Sequence, residues 1–365
     1  MFPLLPALLF FAGVPELPDR LPDGRLALRV DEWGTFTSIA GLNGSALRWA
    51  PLSGPGDLPC FVERLGNGLV KYQPGMVRME TPVLYFYSPR PLTASVRVRF
   101  PKGWITEWYP KATSLSPSSL DGAVFARDGR IEWRGIEVQP DAKAPEFPVG
   151  KGASHYYAAR NTSAAPLRVG TQWEKLLFYR GLGNFEPPLH PTFDRRGSLR
   201  VQSDSLVPLM IWFENRNGEV SFRTLRDVVG EVQVQAPAAK PLGELLSELT
   251  NHLTEAGLLR KEAEAMVETW RDSWFEAGSR LIYLMPRGQV DELLPLEIEP
   301  APTALHRVFV GRTELLAPWV REAMRAGRSQ QFGRFATTFY AEMERAGDPA
   351  LAPRILVDRS AACVE

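Results

Sequence analysis

The chain has 365 residues, 44% of them hydrophobic, and its 42 Lys and Arg are matched by 42 Asp and Glu. A chain of this length and apolar content buries a substantial core as one large domain or two, which excludes a disordered protein. Zero formal net charge and no basic stripe leave nothing to neutralise a phosphate backbone, so no nucleic acid partner is expected. Thirty-two prolines, thirty glycines and ten tryptophans point to many turns and aromatic-rich strands rather than a helical bundle.

The N-terminus, MFPLLPALLFFAGVPELPDR, carries an apolar run from Leu4 to Val14. The run is too short to span a bilayer as a helix but has the length of a signal-peptide core. Basic residues ahead of it are missing and Ala12 to Val14 form a poor cleavage site, so residues 1–27 read as a shortened export signal and lead. No later window is apolar for about eighteen residues, so membrane contact is expected only through this segment if it stays uncleaved. An exported protein meets an oxidising compartment, where Cys60 and Cys363 could bond. The expectation is nevertheless two unrelated thiols, because Cys363 lies in a terminus prone to fray.

From residue 28 the pattern is strand after strand. DEWGTFTS alternates Trp33, Thr35 and Thr37 against Gly34, Phe36 and Ser38, METPVLYFYSPR at 79–90 is β-branched and aromatic, and SVRVRF at 95–100 alternates strictly. Asp128-Gly129 between two alternating arms predicts a hairpin over 123–138. Further runs at 155–160, 173–179, 199–202, 207–213, 219–224 and 229–235 complete a two-sheet β-sandwich over residues 28–236.

APAAKP at 236–241 breaks this pattern and opens a mixed α/β part, residues 237–365, expected to pack on the sandwich. Leu242, Leu245, Leu246, Leu249 and Leu253 recur at helical spacing, and so do Leu259, Ala263, Met266, Val267, Trp270 and Trp274. LIYLM at 281–285 reads as a strand covered on both faces, a Pro-rich crossing spans 295–302, and 307–312 is another strand. A helical pattern from Pro318 to Met343 is interrupted near Gly327 and Gly333. The fold class is therefore α+β, an N-terminal sandwich-like domain followed by a smaller α/β part.

Chemistry-bearing motifs are sparse. The four histidines are scattered, H-E-x-x-H is absent and two cysteines cannot build a C-x-x-C zinc site, so neither a metal nor a cofactor is expected. G-x-S-x-G and the phosphate-binding loop are missing. For glycan hydrolysis the candidate acids are Asp31-Glu32 beside Trp33, Glu80, Glu107 beside Trp108 and Glu132 beside Trp133; on a strand, an acid next to a tryptophan points to the opposite, usually solvated face. His155, His190 and Asp194 are the remaining catalytic candidates, the last two on the proline-rich loop EPPLHPTFD. For binding, the candidates are Trp33 and Trp108 together with Arg180, Gly181 and Gly183, where two glycines and a guanidinium follow a strand.

DEWGTFTS at 31–38, METPVLYFYS at 79–88, ETWRDSWFEAGSRLIYLMPR at 268–287 and RVFVGR at 307–312 resemble a family of uncharacterised, apparently exported bacterial proteins. The resemblance spans most of the chain and implies no activity and no catalytic residues. The leading expectation is an exported protein that binds a polymer, glycan or peptide, or a protein partner through aromatic residues and arginines. The alternative is a glycan hydrolase using paired carboxylates.

Overall fold

The computed structural model describes residues 27–52, 56–65, 74–118, 128–143 and 145–348, and positions 18, 20, 22, 24, 26, 350 and 363. The apolar N-terminal run and the first arm of the 123–138 hairpin lie outside the described residues.

Among the described residues, seventeen strands and five α-helices follow one another. They are β1 (Arg29–Ile39), β2 (Glu63–Arg64), β3 (Val77–Tyr87), β4 (Leu92–Phe100), β5 (Gly103–Tyr109), β6 (Ser114–Ser116), β7 (Gly129–Val138), β8 (Leu167–Val169), β9 (Gln172–Glu174), β10 (Leu177–Gly183), β11 (Leu189–Phe193), β12 (Leu199–Arg216), β13 (Glu219–Val234), β14 (Ala238–Ala239), α1 (Leu242–Glu255), α2 (Arg260–Trp274), β15 (Gly278–Leu284), α3 (Arg287–Leu293), β16 (Leu296–Glu299), β17 (Ala304–Glu314), α4 (Pro318–Arg325) and α5 (Ala336–Arg345). The protein is α+β, with a strand-rich body and its α-helices in the C-terminal third.

An eleven-stranded sheet runs β14-β13-β12-β15-β17-β1-β3-β10-β5-β2, with β11 added on β12, and a six-stranded sheet runs β16-β4-β7-β8-β9, with β6 added on β7. The two sheets face each other over one core, to which Phe36, Met79 and Tyr179 contribute from the large sheet and Val96, Val98, Phe100 and Trp133 from the small one. The opposite face of the large sheet is covered by α1 and α2 through Leu245, Leu249, Met266, Trp270 and Trp274. The centre of the large sheet is thus covered on both sides, which is why Pro82 to Tyr87 of β3 and Leu281 to Leu284 of β15 read as unbroken apolar runs. A third cluster joins α4 and α5 to Ile39 and Trp49.

Several expectations change. The boundary at 236–241 does open α1, but residues 237–365 do not simply pack against a finished sandwich. β15 and β17 sit between β12 and β1, and β17 pairs with β1 in parallel along its whole length. The Pro-rich crossing holds β16, an edge strand on β4. The run at 155–160 is a 3-10 helix rather than a strand, because the Ser154 hydroxyl accepts the Tyr156 N–H and donates to the Asp57 carbonyl at 2.6 Å. The runs at 199–213 and 219–235 merge into two long strands. That ribbon must curl: residues 234 to 238 span at most about 14 Å, yet Ala238 and Ala239 pair with Phe222 and Ser221. A register shift between Ser203 and Val207 and positive φ at Asp227 and Gly230 supply the bend. Cys60 and Cys363 form a disulfide, against the expectation of two separate thiols, and so tie the chain's end to the loop before β2.

Candidate functional site

The candidate hydrolase acids all have partners within the fold: Asp31 pairs with His306 and Arg29. Glu32 does point away from Trp33, but the small sheet covers that face: it accepts Tyr179 Oη and Arg307 Nε, each at 2.5 Å, and has no exposed surface. Glu80 is enclosed by Arg334, Arg78 and Thr37. Burial raises its pKa, and Arg334 and then Arg78 outweigh this and hold it at about 2. Glu132 is held below the usual carboxylate range chiefly by Arg134, and Glu107 accepts the Thr106 hydroxyl. Glu80 and Glu132, held low by arginines, cannot serve as the protonated acid that glycoside cleavage needs.

The aromatic residues are inside. Trp33, Trp133, Trp270 and Trp274 are enclosed, Trp49, Trp104 and Trp212 nearly so, and Trp108, Trp173 and Trp319 are half-buried, so none of the ten is exposed. Gly181 and Gly183 are interior to β10, paired on both sides, and their missing side chains make room for packing: a Cβ on Gly181 would lie 2.6 Å from the Trp104 carbonyl and one on Gly183 2.7 Å from Phe100. Their amides belong to the sheet rather than to a phosphate cradle.

What the structure does assemble is a polar site on the helix-facing side of the large sheet, where the sheet is irregular. β3 carries two residues, Thr81 and Pro82, opposite the single Gly34 of β1, and the β3–β10 register breaks beside the same pair. Thr81, a buried β-branched residue, has φ +50, a conformation such residues adopt only under strain. Bulges of this kind re-aim side chains. Here Arg180 reaches Thr81 Oγ1 at 3.4 Å and grips both oxygens of Asp57 at 2.8 Å. Burial raises the Asp57 pKa, but Arg180 overrides it and pulls that carboxyl well below its ordinary range.

The site extends from Arg180 by direct contacts. Ser154 fixes Asp57, placing the 3-10 helix and His155 at the rim, where His155 Nε2 meets Asp272 at 2.8 Å and its ring lies 5.7 Å from Trp270. Trp270 stacks on Trp274 at 6.4 Å. Next to them Arg312 bonds Ser273 at 2.8 Å and Glu276 at 2.5 Å, and both Arg312 and Arg280 pair with Glu314. Of the sequence candidates, Trp33, Glu80, His155 and Arg180 therefore come together here. Glu32, Trp108, Gly181 and Gly183 do not, and His190 and Asp194 lie apart on the β11–β12 hairpin. Asp194 there accepts the backbone N–H groups of Arg196 and Ser198 in a tight turn. That turn borders a groove of about 560 Å³ lined by Arg196, Ser198, Trp212, Gln233 and Gln235, a surface without buried unpaired donors.

The unpaired donors are concentrated at the bulge. Among the described residues, thirteen buried side-chain polar atoms lack a hydrogen bond, and six belong to this site: Trp33 Nε1, Thr35 Oγ1, His155 Nδ1, Arg180 Nε, Trp270 Nε1 and Trp274 Nε1. Trp33 Nε1 is next to the Tyr85 hydroxyl, which gives its own proton to the Ala159 carbonyl and keeps lone pairs for the indole, but the two stand outside good hydrogen-bond geometry. Arg78 and Arg280 add two more Nε atoms within ion-pair reach of Glu80 and Glu314 but outside hydrogen-bond geometry. Each such atom carries a desolvation cost unless an acceptor meets it. Four arginines, Arg78, Arg180, Arg280 and Arg312, are buried here against two buried carboxylates, Glu80 and Glu314. Asp57, Glu276 and Arg334 are partly exposed and form the rim.

Sequence reasoning missed Arg78, Thr81, Arg280 and Arg312, whose signal was charge inside otherwise apolar strands. It also missed Glu262, a carboxyl of α2 without exposed surface that accepts Tyr87 Oη at 2.7 Å and the Leu259 N–H at 2.8 Å. Burial and the neighbouring Asp31 raise its pKa to about 8. No cluster of His, Cys, Asp and Glu suited to a metal occurs among the described residues, and none of their helices is long and apolar enough to cross a membrane. No family model and no curated protein matches the chain.

Proposed function

We propose that the chain is an exported, non-catalytic protein that binds a segment of a polymer, glycan or peptide, at the bulge site through its indole N–H groups and arginines. The observation that carries this reading is the group of six unpaired buried polar atoms at one irregular place in the sheet, four of them N–H donors, because donors without acceptors mark where an acceptor-rich guest belongs. The tryptophans act here by their N–H edges, not by open ring faces. The Cys60–Cys363 bond fits an oxidising compartment and so supports export.

The hydrolase alternative gains no support from the geometry. Glu80 and Asp57 are held low by arginines, and Glu262, whose pKa is raised, has no exposed surface. A thermal-shift screen of the purified protein against glycans and peptides tests the binding reading, since a ligand that prefers the folded state raises Tm. Trp270→Phe and Trp274→Phe keep a ring and remove the N–H. A hit whose shift is unchanged in both variants would place binding elsewhere.

A further inference from the structure

A second concave place lies in the fold, away from the bulge. The β12–β13 ribbon curls until Ala238 and Ala239 pair with Phe222 and Ser221, and this brings Gln233 to Ala236 round towards Trp212. Between them is the groove of about 560 Å³, a volume within the range of small-ligand sites. Its buried lining, Trp212 and Val234, is apolar, and the Trp212 N–H is already given to Ser279 Oγ at 3.1 Å. Arg196, Gln233 and Gln235 line it as exposed residues. We infer that this groove binds a small ligand through an oxyanion, a carboxylate or a phosphate, held by Arg196 and Arg223.

Charge selects the oxyanion. No acid is among the residues that line the groove. Arg223 stands opposite Trp212 across the ribbon and gives its Nε, at 3.3 Å, to the carbonyl of Ala236 in the groove wall. Among the described residues neither Arg196 nor Arg223 has an ion-pair partner. The arginines of the bulge differ in this, since Asp57, Glu80, Glu276 and Glu314 match them. Asp194, the acid of the neighbouring turn, gives its Oδ1 to the backbone N–H groups of Arg196 and Ser198 and so fixes the backbone that carries Arg196. Two unmatched guanidiniums beside an apolar lining attract an anion, and each presents paired N–H groups that fit a carboxylate or a phosphate. Ser198, Gln233 and Gln235 can each donate or accept, so they suit a polar ligand without choosing between a peptide and a sugar.

The experiment is calorimetric titration of the intact, disulfide-bonded protein with acetyl-diglutamate, digalacturonate and glycerol phosphate, each beside its uncharged counterpart, the triamide, the dimethyl ester and glycerol. At least one charged probe should bind about tenfold or more tighter than its counterpart, the range of a charge-assisted hydrogen bond, and less tightly as salt rises. Arg196→Gln, at an exposed position, should weaken that binding about tenfold, and Arg223→Gln about threefold or more. The tightest of the charged probes names the source of the oxyanion as a peptide, an acidic sugar or a phosphate ester. Binding by no charged probe overturns the proposal, and so does equal binding of charged and uncharged forms. Binding of a charged probe that Arg196→Gln and Arg223→Gln both leave unchanged puts the ligand elsewhere and overturns the groove.

Discussion

Replacing Glu262 by glutamine should reverse the protein's stability ranking between pH 5 and pH 8. Glu262 is buried at the start of α2, where burial and Asp31 raise its pKa from an ordinary 4.5 to about 8. A carboxyl that holds its proton more tightly when folded gives its full stabilisation below pH 4.5, and this is lost as pH rises towards 8, because the unfolded chain ionises first. At 1.36 kcal/mol per unit the whole window is worth at most about 5 kcal/mol, of which about 3 kcal/mol falls between pH 5 and 8. Glutamine keeps the shape, can donate to Asp31 as the protonated acid does, and does not titrate. It has one acceptor oxygen for the two bonds from Tyr87 and Leu259, at a pH-independent cost of about 1 kcal/mol. The variant should therefore be about 1 kcal/mol less stable than the parent near pH 5 and about 2 kcal/mol more stable at pH 8. Glu80 titrates in the opposite sense, its contribution fading as pH falls from 4.5 towards 2, so its window does not overlap. Denaturant unfolding of both proteins from pH 5 to 8 measures the difference. Parallel pH profiles would refute the shared burial of Glu262 and Asp31.

Breaking the Cys60–Cys363 bond opens a loop spanning 303 positions, for which chain entropy gives a ceiling of about 5–6 kcal/mol, and scanning calorimetry with and without reductant should show Tm falling by several degrees. Glu32→Ala leaves the buried Arg307 with only the partly exposed Asp291 as its carboxylate partner, a loss of up to about 3–5 kcal/mol in urea unfolding; the double change Glu32→Leu with Arg307→Met should recover most of it. Gly34→Ala drives a Cβ to within 2.6 Å of the Phe309 ring. It should cost about 1–3 kcal/mol, with Phe309→Leu restoring part of the loss, and additive effects of the two substitutions would show that this contact is not the cause.

Local patterning made many elements legible. The alternation of Val96, Val98 and Phe100 with Arg97 and Arg99 and the stripe from Ala263 to Trp274 are both found as read, because each depends only on which side chains share a face. Long-range pairing was not legible. Nothing local tells that β17 lies parallel to β1, about 275 residues earlier, and this pairing turns the expected attached part into the middle of the sheet. The same gap explains Glu32. Its direction was right and its environment wrong, since a face counted as solvated is covered by a second sheet. Glu262 left a faint trace as an acid three residues after a helix start, the position from which a carboxylate caps the first turn. The bulge site draws on segments far apart in the chain, and a tryptophan count gives aromatic content without the direction in which an indole N–H points.

A sheet covered on both faces also changes what its charges do. Asp31 pairs directly with His306 and Glu32 with Arg307 as cross-strand partners, and their side chains are joined at 2.9 and 2.5 Å. A slip of β17 by one residue would turn each of these groups to the other face and set ionised side chains against apolar ones. Such pairs add little net stability over well-packed apolar residues but make the alternatives costly. The long parallel pairing of β1 and β17 is thereby held to one register. That register aligns Thr37 with Arg312 and holds Thr35 beside the bulge, so the geometry of the proposed binding site follows from the charges that fix the centre of the fold.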